Sequence, residues 1–184
     1  MSGPGLRRFT VAPVPRCELC ATVIGEEHRH VLALADRSLL CACHPCHLLF
    51  QAPGAGRFRA VPDRYLALGP ADGEALGVPV TPAFVVAHGE GERLVASCPS
   101  PAGTTECEVD GAAWDRLAAA NPLLREPVAD VEAIYLTGRE AFLVPVDACY
   151  ALAGAVRSRW QGGDGGPAVR HLLDAFLHDL RSRV

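Results

Sequence analysis

The sequence predicts an α+β protein, with a small cysteine-stapled module at the N-terminus followed by a mostly antiparallel sheet packed with C-terminal helices. Three observations predict it. Two Cys-x-x-Cys pairs, Cys17-Glu-Leu-Cys20 and Cys43-His-Pro-Cys46, share one short segment. Short apolar runs bounded by Gly/Pro turns fill the middle of the chain. Two amphipathic helical patterns close it.

Taken in order, residues 1–15 form a Pro/Gly-rich flexible leader, residues 16–50 the cysteine module, and residues 57–184 the α+β domain, with a Gly/Pro-rich linker at Gln51–Gly56. Inside the module, Val31–Leu34 and Ser38–Cys41 read as two strands turning at Asp36-Arg37. Arg57–Val61 reads as a short strand of the larger domain. Pro82–Ala87 and Leu94–Cys98 read as a hairpin around His88-Gly-Glu-Gly-Glu92, and Pro99–Gly103 as a turn into a third strand at Thr104–Val109. Asp110 is placed to N-cap a helix that Asn121-Pro122 ends. Val131–Leu136 and Ala141–Val146 form another hairpin around Thr137-Gly-Arg-Glu140, and Pro145 calls for a sheet edge or a bulge. Asp147 is expected to cap a helix carrying Cys149, Leu152, Val156 and Trp160 on one side, stopped by Gly162-Gly163. Pro167 opens the last helix. Its residues Val169, Leu172, Leu173, Phe176, Leu177 and Leu180 make one wide apolar stripe that should pack on the sheet.

Each Cys-x-x-Cys can form a tight turn that aims two sulfurs at one ion, and two such turns joined by a hairpin close a tetrahedral site. Cys17, Cys20, Cys43 and Cys46 are therefore expected to hold a metal in a zinc-ribbon-like module. Zinc suits four thiolates without redox chemistry, and mononuclear iron in a rubredoxin-like site is the alternative. A Rieske-type cluster is not expected, because Cys17-Glu-Leu-Cys20 supplies no histidine. Cys41, two residues before Cys43, is an alternate ligand, as are His44 and His47 beside the second pair. Their simpler reading is exposed residues on the knuckle. His28 and His30 carry a weaker hint that a surface turn explains well; if nickel is handled, His28, His30, His44 and His47 are the clustered histidines for it.

Composition narrows the chemistry. All 17 basic residues are arginine, so no lysine is present to form a Schiff base, act as a general base or cradle a phosphate. The formal net charge of -4 makes nucleic acid an unlikely partner by electrostatics. No run is long and apolar enough for membrane insertion. Arg7-Arg8 is followed by no apolar stretch, so neither a Sec nor a twin-arginine signal is read, and the expected location is the cytoplasm. There, eight cysteines favour metal ligands and buried thiols over disulfides.

Outside the cysteine pairs the signals are weaker. The Pro/Gly-rich loop with Ser100, Thr104, Thr105 and Glu106 can line a ligand pocket, although a plain turn between strands explains it more simply. No Gly-x-Ser-x-Gly elbow and no GxGxxG after a strand is present. Asp130, Glu132 and Asp147 read as a solvated strand entry and a helix cap, and Cys149 as a buried, inert thiol.

The segments Arg16-Cys-Glu-Leu-Cys20, Glu27-His-Arg-His30, Leu40-Cys-Ala-Cys43, Arg57–Asp63, Pro99–Gly103, Asp130–Ala133 and Leu143–Tyr150 resemble an uncharacterised bacterial domain-of-unknown-function family. That family is mainly actinobacterial, and its genes often lie near those of nickel–iron hydrogenases. The resemblance spans nearly the whole chain and implies a context, assembly or support of a hydrogenase, without implying an activity. Nickel-delivery proteins of such systems also carry zinc on paired Cys-x-x-Cys motifs, but they use an N-terminal Met-His where this chain has Met1-Ser2. The function expected is thus a non-catalytic, zinc-stabilised accessory or adaptor protein that docks a protein partner, a hydrogenase subunit or maturation factor. The alternatives are an iron electron-transfer or nickel-handling protein, and an enzyme built on the 100–106 loop.

Overall fold

The computed structural model describes residues 14–52, 56–78, 82–89, 93–163 and 165–184. The leader up to residue 13, the centre of the 51–56 linker, the tip of the 88–92 turn and Asp164 lie outside the described residues. Two compact units divide the chain, one ending at Ala60 and the other beginning at Val61.

The first unit grows from a knuckle and a hairpin. Arg16 bridges Val23 across the first knuckle, the Cys17 amide donates to the Thr22 carbonyl at 2.8 Å, and the Ala21 amide donates to the Cys17 carbonyl at 2.8 Å. That turn requires a left-handed residue, and Ala21 takes the conformation at φ 62°. Strands β1 (Arg29–Ala33) and β2 (Ser38–Ala42) pair antiparallel. Their turn is held by Asp36, whose carboxylate accepts from the Ser38 amide at 3.1 Å and the Ser38 hydroxyl at 2.8 Å. Arg37 adopts φ 58° there. A single helical turn, α1 (His44–Leu48), follows with Pro45 in its first turn, a position that loses no hydrogen bond. Strand β3 (Phe58–Ala60) then pairs with the other side of β1, giving the order β2-β1-β3. The strand read at 57–61 thus adds to the first unit's sheet. Val31, Leu32, Ala42 and Ala60 are its buried aliphatic residues.

The second unit is a six-stranded antiparallel sheet covered on both faces. Its strands are β4 (Leu66–Pro70), β5 (Ala83–His88), β6 (Arg93–Ser100), β7 (Gly103–Glu108), β8 (Glu132–Thr137) and β9 (Glu140–Pro145), in the order β4-β9-β8-β5-β6-β7. The central strands are apolar at successive positions because both faces are buried. Val85, Ile134 and Leu143 point to the face covered by α2 (Gly111–Ala120). Phe84, Tyr135 and Phe142 point to the face covered by α3 (Val146–Arg159) and α4 (Gly166–Arg183). Phe176 of α4 meets the Tyr135 ring edge-on at 5.1 Å.

Caps and ends follow local chemistry. The Asp110 carboxylate accepts from the Ala113 amide at 2.9 Å and starts α2. At α3 the cap residue is Pro145, and Asp147 lies in the first turn, where its charge suits the helix dipole. Pro145 ends β9 beyond the reach of β4, whose last pairing toward that end is Leu66 with Leu143, so the missing N–H disturbs no ladder on that side.

Glu132, expected at a solvated strand entry, is 1% exposed. The Arg64 guanidinium grips it with Nε donating at 2.9 Å to one oxygen and Nη2 at 2.7 Å to the other. The Val128 amide adds a third donor at 2.7 Å. A buried carboxylate survives only with such company, and Glu132 in turn holds Arg64 protonated above its ordinary range.

Candidate metal centre

Four sulfurs converge in the first unit. Cys17 and Cys20 come from the 16–23 knuckle, Cys43 from the residue that begins α1, and Cys46 from within α1. Their Sγ atoms all lie within 4.8 Å of one another, and those of Cys20 and Cys43 are 3.6 Å apart. Zinc–sulfur bonds of about 2.3 Å place tetrahedral sulfurs about 3.8 Å apart, so the spacing matches a four-coordinate thiolate site. Cys17 is buried and Cys20 exposed, which sets the cluster at the surface of its unit. The four residues can hold a metal ion.

Electrostatics within the cluster argue for a cation. Burial pushes the Cys17 thiol up, but backbone hydrogen bonds from Cys43, Leu19 and Cys20 outweigh it and bring the thiol down to about 6. Hydrogen bonds from Thr22 lower Cys20 as well. Contacts with Cys43 and Cys20, with burial as a further cause, push Cys46 up to about 12. Four adjacent sulfurs give up their first protons readily and hold the last tightly, because thiolates repel one another. A bound cation removes that repulsion and deprotonates the whole set.

The alternates are placed elsewhere. His44 is exposed on α1, and His47 is buried beneath it. Cys41 lies with His28 and His30, the ligand atoms of the three within 4.8 Å of one another. The sequence offers Cys41 as an alternate to Cys43, and His28 and His30 as a surface turn or, with His44 and His47, as nickel-handling histidines; it does not join His28 and His30 to Cys41. The available signal was the His28-x-His30 spacing, which puts both rings on one side of an extended chain.

A family model described as a family of unknown function, DUF5947, matches residues 16–184. The chain belongs to this family. No curated protein and no solved structure matches it.

In this DUF5947 chain most of the 100–106 segment is strand, and the Ser100 hydroxyl is buried. Strand β6 runs through Pro99 to Ser100, leaving Pro101 and Ala102 as the turn. Thr104, Thr105 and Glu106 are exposed on β7, an edge strand, opposite Pro99, Cys98 and Ser97. Thr105 points to the opposite face from Thr104 and Glu106. A cavity of about 420 Å³ does open on the α2 side of the sheet, lined by Val85, Leu94, Trp114, Leu124, Ile134 and Arg125 among others, and none of the four loop residues borders it. Cys149 is buried, and burial pushes its thiol well above the ordinary range, as an inert core thiol requires. Among the described residues no helix is long and apolar enough to cross a membrane.

Proposed function

We propose that Cys17, Cys20, Cys43 and Cys46 bind one zinc ion, and that the folded unit serves a non-catalytic accessory or adaptor protein. The convergence of four sulfurs from two knuckles carries the reading. With four protein ligands the ion keeps no open position for substrate, so its role is to fold the unit and not to activate water. Folding around the ion leaves Leu48 and Leu49, just after the second pair, and Val23 of the first knuckle exposed. These apolar side chains are the surface we assign to a protein partner. The family resemblance suggests the setting, support of nickel–iron hydrogenase assembly in the cytoplasm, with a hydrogenase subunit or maturation factor as the partner.

Elemental analysis and a visible spectrum of anaerobically purified protein test the metal. Colourless zinc, of which one equivalent per chain is lost in the Cys17→Ser/Cys20→Ser variant, is the expected result. A protein that is folded, reduced and metal-free overturns it. The exposed Cys20 favours a second reading, electron transfer by iron at the same sulfurs, since an exposed ligand offers a short path to a redox partner. Iron with thiolate colour would establish that reading over zinc. For the partner, pull-down from the native host with wild type and Leu49→Asp is decisive. Loss of a co-purifying hydrogenase subunit or maturation factor in the variant is expected, and absence of any such protein from the wild-type sample overturns the hydrogenase setting.

A further inference from the structure

We infer that His28, His30 and Cys41 form a second metal site, a three-ligand site for a zinc-class divalent ion with one coordination position left open. The inference does not depend on which ion the four sulfurs hold.

The strand register builds the site. His30 of β1 stands directly opposite Cys41 of β2, so the two side chains leave the same face of the hairpin. His28 precedes His30 by two in extended chain and joins that face. The two imidazole rings lie 4.9 Å apart between centroids, tilted by 59°, and the three ligand atoms fall within 4.8 Å of one another.

The decisive detail is the proton on His28. Its Nδ1 lies 3.0 Å from the Gly25 carbonyl, which can only accept, so Nδ1 carries the hydrogen. The lone pair is therefore on Nε2. That atom is buried and has no hydrogen-bond partner. A buried acceptor without a donor is costly, and none of the described residues donates to it. A ring nitrogen held to a backbone carbonyl while the other faces a cation is the usual arrangement of a ligating histidine, because the carbonyl fixes both tautomer and ring direction. The vacant donor role at Nε2 is the role an ion would fill.

Cys41 is equally well positioned. Its amide donates to the Glu18 carboxylate at 2.6 Å, and its carbonyl accepts from the Glu18 amide at 2.8 Å. Glu18 thus clips the outer side of β2 and fixes the backbone that carries the sulfur. Two imidazoles and a thiolate suit zinc. Three protein ligands leave the fourth position to water or to a group from another molecule, unlike the four-sulfur cluster.

The test titrates the intact chain, first loaded with zinc at the four sulfurs, with Co²⁺ as a spectroscopic substitute for zinc. Wild type is expected to bind one cobalt beyond the four-sulfur ion, with a thiolate-to-cobalt charge-transfer band. His28→Ala and Cys41→Ser should each weaken that equivalent by more than the about 10–100-fold that loss of a partner behind a ligand costs, while four-sulfur loading is retained. The zinc bound before cobalt is added reads the four-sulfur site separately, so a failure of that site and a failure of the second one are distinguishable. Equal cobalt binding by wild type and both variants overturns the inference. X-ray absorption at the cobalt edge of wild type gives a check that needs no variant: two nitrogen neighbours and one sulfur are expected, and a shell of oxygens or of sulfurs alone overturns the site.

Discussion

Removing the metal should unfold the first unit and spare the second. Among the described residues, the first unit's buried aliphatic side chains are Val31, Leu32, Ala42 and Ala60. Only Val31 and Leu32 among them are large, each contributing about 1.5–3 kcal/mol by burial. A structural zinc of this ligand type contributes about 10–16 kcal/mol of apparent free energy near neutral pH. Conformational entropy of about 1–2 kcal/mol per ordered residue opposes both. Without the ion, two buried aliphatic side chains and the half-buried Phe50–Phe58 edge contact are too little to hold a three-stranded sheet. The second unit has its own core, drawn entirely from residues between Tyr65 and Leu180. Native-state hydrogen exchange after chelation under reducing conditions is the assay. Amides of β1 and β2 should lose protection by at least about a thousandfold, which corresponds to about 4 kcal/mol. Amides of β5, β8 and β9 should stay protected. Tryptophan fluorescence should not move, because Trp114 and Trp160 both lie in the second unit. Full protection of residues 29–42 after elemental analysis shows the metal gone would refute the reasoning.

Four further outcomes are expected. Arg64→Ala leaves the buried Glu132 carboxylate with the Val128 amide as its remaining donor among the three contacts described. Because the Arg64 side chain is itself 37% exposed and water can replace part of it, the cost should fall at about 2–4 kcal/mol in urea unfolding of the second unit, below the full range for a broken buried pair. A loss under about 0.5 kcal/mol would count against that account. Asp110→Ala removes the α2 cap and should cost about 1 kcal/mol, with Asp110→Asn recovering most of it. Ala21→Gly relieves a left-handed alanine at the first knuckle and should stabilise the metal-loaded first unit by up to about 1 kcal/mol, against the extra flexibility glycine brings to the unfolded chain; destabilisation would show that the Ala21 methyl packs usefully. Cys149 is held neutral by burial, so the folded state retains a proton that the unfolded state releases once pH exceeds the free thiol value. Its contribution to second-unit stability is complete below about pH 8.5 and declines above it. Urea midpoints measured from pH 7 to 10 should fall less in Cys149→Ala than in wild type once each is referred to its own midpoint at pH 7.

What the sequence made legible follows the range of each interaction. Hairpins, caps and the α4 stripe are written in neighbouring residues, and β5, β6, α2, β8, β9 and α4 lie close to their sequence readings. Strand β4 was illegible because Leu-Ala-Leu-Gly-Pro alternates poorly, breaks register between Ala67 and Gly69, and exists as a strand only through its pairing with β9. Helix α1 is too short to show a helical period. The pairing of β3 with β1 and the burial of Glu132 depend on partners far along the chain; Arg64 is 68 positions from Glu132. The candidate sites divide along the same line. Two Cys-x-x-Cys knuckles announce themselves locally, whereas the second cluster joins a local His-x-His to a cysteine chosen by strand register. Shifting that register by one residue would turn Cys41 to the opposite face and dissolve the cluster. The Glu18 clip that holds β2 belongs to the first knuckle and lies next to Cys17. A metal at the four sulfurs therefore also fixes the backbone that carries Cys41, and loading of the first site should precede assembly of the second.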